Sequence, residues 1–93
     1  MAYDGPLSVL CDAQSIPILL YMGERGICTK TAVYRDVSHS STTPKRLDSL
    51  ANSGLIRMET LGNGRTTLVH LTDRGERVVG LLRDIESSLV QEP

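Results

Sequence analysis

The densest run of apolar positions is Ile16, Ile18, Leu19, Leu20, Tyr21 and Met22, which wraps nearly all round a helix and predicts a central core element. Ser15 and Pro17 suit its first turn, and Gly23 and Gly26 read as its end. In the N-terminal segment before it, 1–14, Leu7, Val9, Leu10 and Cys11 follow no clean period, and Pro6 blocks an early helix. Either a short strand or an extra helix fits there. Downstream, Gly26-Ile27-Cys28 leans toward an extended step. Thr29 then caps a second short helix, Lys30 to Val37, which buries Ala32, Val33 and Val37. Ser38-His39-Ser40 is a turn.

The next stretch, Ser40 to Ile56, has a start signal, a stop signal and two chemically different faces. Ser40 or Ser41 can cap the first turn, Pro44 belongs near a helix start, and Gly54 suits a left-handed stop. At about 100° per residue, Leu47, Leu50 and Ala51 share one face, with Leu55 and Ile56 carrying the apolar run outward. Thr42, Lys45, Ser49 and Asn52 lie opposite, with Arg46 on the flank. Short hydroxyls and cations on a helix face suit a groove of phosphates and base edges; a merely solvated helix has the same face.

After Ile56 the period becomes two. Arg57 to Leu61 alternates, and Thr66 to Leu71 is rich in β-branched residues. Between them Gly62-Asn63-Gly64-Arg65 contains the Asn-Gly pair of a hairpin turn, which puts Arg65 at its tip. Thr72 and Asp73 open the last helix, along which Val78, Leu82, Ile85 and Leu89 are spaced four, three and four apart. A helix running to about Val90 is ~27 Å long, more than so small a domain covers, so its outer half is expected to pack on a second copy of the chain. The interface residues expected are Val78, Leu82, Ile85 and Leu89.

Helix, short strand, helix, turn, helix, hairpin, helix is the order of a winged helix-turn-helix. The fold class expected is therefore α+β, mainly α, with a β-hairpin wing and a long C-terminal dimerisation helix. Residues 1–93 read as one domain: the N-terminal segment 1–14, a helix-turn-helix and wing over 15–71, and the C-terminal helix 72–91.

Composition changes this picture in two places. With no Phe, no Trp and three Tyr, the core must come from Leu, Ile, Val and Met. The net charge of −1 argues against a generally basic nucleic-acid binder, but its distribution is uneven. Residues 24–70 carry Arg25, Lys30, Arg35, Lys45, Arg46, Arg57 and Arg65 against Glu24, Asp36, Asp48 and Glu59, and both flanking segments are net acidic. One positive face on a near-neutral molecule follows.

Candidate chemistry is sparse. Cys11 and Cys28 form no CxxC, and His39 and His70 stand at no metal-ligand spacing, so neither a metal nor another cofactor is expected. No nucleophile motif, HExxH or phosphate-binding glycine loop is present, and the expectation is a protein that is not an enzyme. The longest apolar run is too short for a bilayer, and the N-terminus lacks a signal-peptide layout, which predicts a cytoplasmic protein without a membrane partner. The sequence points to no small-molecule effector.

The run TTPKRLDSLANSGLIRMETLGNGRTTLVHLTDRGERVV resembles the small winged-helix transcriptional regulators of archaea and bacteria, including those related to MarR. The resemblance rests on Leu47 and Leu50, Gly54-Leu55-Ile56, Gly64-Arg65 and Leu71-Thr72-Asp73-Arg74-Gly75, and covers about residues 15–80. Pro44 departs from the pattern, which has a small polar residue there. The resemblance implies a homodimer that binds double-stranded DNA, with a recognition helix at about 41–53 in the major groove. It further implies that Ser41, Thr42, Lys45, Arg46 and Ser49 face DNA, and that Arg65, in a wing over 57–71, reaches backbone or minor groove. A winged-helix module that binds protein and not DNA is the alternative.

Overall fold

A computed structural model describes residues 5–12, 14–37 and 40–90. The expected turn at Ser38-His39, the metal candidate His39, residues 1–4 and the chain end 91–93 lie outside them. The elements are α1 (Ser8–Cys11), α2 (Ser15–Arg25), β1 (Cys28–Thr29), α3 (Lys30–Asp36), α4 (Thr43–Asn52), β2 (Ile56–Thr60), β3 (Thr67–Leu71) and α5 (Asp73–Val90). The order is that of a winged helix-turn-helix. The strands form an antiparallel sheet in the order β1-β3-β2, with Cys28 opposite Val69, and Ile56 opposite Leu71.

The core forms where the apolar faces meet. Ile18, Leu19 and Met22 of α2, Val33 of α3, Leu47 and Leu50 of α4 and Val69 of β3 are fully buried. The near-continuous apolar run of α2 is thereby explained, since α1, α5 and β3 all pack on it. Gly23 does not end α2 as its sequence suggests. It lies inside the helix, where an added Cβ would stand 2.8 Å from Val79 Cγ1, so its lack of a side chain lets α2 and α5 approach closely. The helix ends instead at Gly26, at φ 74°.

Thr29 caps α3 as expected, its Oγ1 accepting a hydrogen bond from the Ala32 N–H at 3.0 Å. A second tie locks α2 to α3. The Tyr21 hydroxyl donates to Asp36 Oδ2 at 2.6 Å, and Arg35 Nε donates to Asp36 Oδ1 at 2.9 Å. The Arg35 guanidinium and then the Tyr21 hydroxyl hold the Asp36 carboxyl well below the usual carboxylate range. In return, the bond to Asp36 raises the Tyr21 hydroxyl above its ordinary value.

The wing is a β-hairpin, and its Asn-Gly pair lies in the connection as expected. Gly64 N–H donates to Leu61 O at 2.9 Å, and Gly64 takes the left-handed conformation at φ 70° while Asn63 does not. Asn63 Oδ1 instead accepts from the N–H groups of Arg65 and Thr66 at 2.9 and 3.2 Å. The Asn-Gly pair thus builds a turn braced by the Asn63 side chain.

Candidate nucleic-acid interface

Helix α4 is placed by both of its ends. It begins at Thr43, two residues inside the expected start. Neither Ser40 nor Ser41 caps it as anticipated: Thr42 occupies the cap position and its side chain makes no capping bond. Ser40 braces the approach instead, its Oγ accepting from the Thr42 N–H at 3.3 Å and its carbonyl from the Thr43 N–H at 3.1 Å. Pro44 falls in the first turn, where its missing N–H costs no helical bond.

The C-terminal end is tighter. Gly54 stands at φ 78°, its N–H donates to Ala51 O at 3.0 Å, and the Leu55 N–H donates to Leu50 O at 3.1 Å. This paired arrangement is a Schellman stop, and Leu50 and Leu55 are both buried beside it. Helix α4 is therefore held at its exit with little freedom to swing.

The expected reading face divides. Ser41, Thr42 and Lys45 are exposed. Arg46 is not presented in the same way: its Nη1 lies 3.4 Å from Asp12 Oδ2, and its side chain is 24% exposed. That contact bridges thirty-four residues of sequence, so no local pattern announced it. Ser49 is half-buried and, with Asn52 and Ser53, borders a shallow cleft against Ser8, Val9 and Asp12 beside α1. Sequence reasoning passed over Asp48, which is also exposed on α4. A carboxylate there repels phosphate but can accept from a cytosine amino group. Arg65 is exposed at the wing tip, beside the turn that Asn63 braces.

Of the four residues expected to pair two copies, Val78 and Leu82 pack partly buried against the chain's own core. Val79, read as a flanking position, is the deeply buried one at 5% exposure. Ile85 and Leu89 stay exposed at 56% and 80%, and with Leu81 they form a stripe four residues apart. The exposed apolar face of α5 thus keeps Ile85 and Leu89 of the expected four and adds Leu81.

Among the described residues, the candidate reactive groups do not converge. Burial pushes the Cys28 thiol up, which disfavours the thiolate, and Cys11 is exposed on α1. His70 Nε2 faces Glu59 Oε1 at 4.0 Å. Among the described residues, no group of three or more His, Cys, Asp or Glu side chains could hold a metal ion, and no helix is long and apolar enough to cross a membrane.

The fold is that of solved MarR-family winged-helix regulators. A protein from Porphyromonas gingivalis W83, described as a MarR-family transcriptional regulator, superposes with a TM-score of 0.77 at 15% identity, over 99% of this chain and 99% of that one. An Archaeoglobus fulgidus protein gives 0.78 at 15% identity, over 95% and 100%. MepR of S. aureus, solved in complex with DNA, gives 0.73 at 18% identity, over 92% of this chain and 73% of its own. No protein-family model matches the sequence and no curated protein matches it.

Proposed function

We propose that this chain is a dimeric transcriptional regulator that binds double-stranded DNA at specific sequences. In this reading α4 enters the major groove, and the wing rests on the backbone or minor groove. The observation that carries it is a rigidly terminated α4 with Ser41, Thr42 and Lys45 exposed at its start, followed directly by a hairpin tipped by Arg65. The DNA-bound state of MepR, which shares the fold, supports the same reading. Lys45 and Arg65 supply phosphate contacts, while Ser41, Thr42 and Asp48 address base edges. Arg46 stays engaged with Asp12 until a phosphate competes for it. The exposed Leu81, Ile85 and Leu89 stripe pairs two copies, which sets two recognition helices at a fixed spacing.

A second reading, a winged-helix module that binds protein without DNA, draws on Asp48 and on the Arg46–Asp12 pair, which leave the exposed part of α4 nearly neutral. Selection of bound sequences from random duplex DNA separates the two. Regulation predicts enrichment of one inverted repeat; recovery of the unselected pool would favour the protein-binding module.

A further inference from the structure

Four basic side chains from three elements meet at the base of the wing. Arg57 on β2 and His70 on β3 are register partners, so their side chains share one face of the hairpin. Arg74 and Arg77 stand three residues apart on α5, on one face of that helix. All four line a single open cleft, together with Thr72 and Asp73. Arg57, Arg74 and Arg77 are exposed, and among the described residues none of them forms a salt bridge.

Three guanidinium groups around a cleft with one lining carboxylate are unusual in a chain of net charge −1. Arg74 Nη1 donates to Ser53 O at 3.3 Å, and its remaining N–H groups, with those of Arg57 and Arg77, are the donors an anion in the cleft would meet. The helix end contributes little, because Thr72 Oγ1 already accepts from the Gly75 N–H. The guanidinium groups therefore make the site.

We infer that this cleft binds a phosphate group through Arg57, Arg74 and Arg77, with His70 at its edge. The phosphate comes either from a DNA backbone beyond the recognition site or from a free phosphorylated molecule. The inference does not depend on the proposed DNA function.

The test titrates the isotopically labelled 93-residue chain with sodium phosphate, chloride holding the ionic strength constant, and follows the backbone amides. Saturable shifts confined to the cleft are expected. Arg57→Ala combined with Arg77→Ala should weaken this binding by about a hundredfold, since each lost charge-assisted hydrogen bond is worth roughly tenfold. Arg65→Ala, outside the cleft, should leave it unchanged. A second arm titrates a short duplex. Cleft shifts, together with a salt dependence that the double variant flattens by about two units, assign a backbone phosphate; duplex binding indifferent to the double variant assigns a free one. Phosphate shifts that never saturate, or that persist unchanged in the double variant, would overturn the site.

Discussion

Thr72 and Gly54 are joined by a hydrogen bond of 2.5 Å from the Thr72 hydroxyl to the Gly54 carbonyl. The same threonine donates its backbone N–H to Leu55 O at 3.0 Å and caps α5 by accepting from the Gly75 N–H at 3.1 Å. One residue thus ties the exit of α4 to the exit of the wing and the start of α5. Gly75 completes the joint, since an added Cβ would collide with the Leu55 carbonyl oxygen. The Gly-Leu-Ile and Leu-Thr-x-x-Gly segments, fifteen residues apart in sequence, are two halves of this joint.

Gly75→Ala should therefore destabilise the fold by about 2–3 kcal/mol, because the obstructing atom is backbone and cannot rotate aside. Thr72→Ala should cost about 1–2 kcal/mol by losing a cap and leaving Gly54 O short of a donor, and Thr72→Ser should restore most of it. Denaturant unfolding measures both, and an unchanged midpoint for Gly75→Ala would refute the joint.

Asp12 restrains Arg46. Asp12→Asn should raise duplex affinity several-fold by removing a negative charge beside the Arg46 guanidinium. Stability should change by less than about 1 kcal/mol, since the pair is partly exposed. Anisotropy titration beside a thermal melt reads the two effects separately, and weaker duplex binding would show that Asp12 positions Arg46 for contact.

In the proposed dimer, the exposed stripe on α5 is the surface that pairs the two copies. Ile85→Asp with Leu89→Asp should give a folded 10.2 kDa monomer, because neither side chain belongs to the chain's own core. Leu82→Asp is a poorer probe, as Leu82 packs within the domain. Sedimentation with circular dichroism checks this; a wild-type chain that already sediments as a monomer would remove the dimer from the account.

Acid should loosen the junction of α2 and α3. Asp36 has a depressed pKa in the folded state, so its contribution is present above the usual carboxylate value and is lost as the pH falls below it. Tyr21 is raised, so its contribution is present below the ordinary tyrosine value and fades as the pH climbs past it. Thermal melts of Asp36→Asn should show a smaller loss of stability between neutral and acid pH than the wild type. An identical loss would mean that the pair does not contribute.

Much of the architecture was legible because each element carries its own local signal. The period of α4, the Thr29 cap, the alternation of the wing strands and the Leu71-Thr72 opening of α5 all depend on neighbours within a turn or two. What escaped depends on distant contacts. Gly23 looks like a stop until Val79 is seen against it. The contact of Arg46 with Asp12 spans two distant parts of the chain. Of the four α5 positions expected to pair two copies, Ile85 and Leu89 stay exposed, while Val78 and Leu82 turn toward a core that only the packed helices define. The basic cleft was hidden for the same reason: Arg74 and Arg77 lie in a segment whose overall charge is acidic.

The central claim is that Lys45 on α4 and Arg65 on the wing hold duplex DNA. The most direct measurement is the dependence of duplex affinity on salt concentration, for the wild type and for Lys45→Ala and Arg65→Ala, each confirmed folded. Affinity should fall steeply with salt in the wild type, and each substitution should weaken binding and flatten the slope by about one unit. Absence of salt-sensitive duplex binding at low salt, or wild-type slopes in both variants, would contradict it.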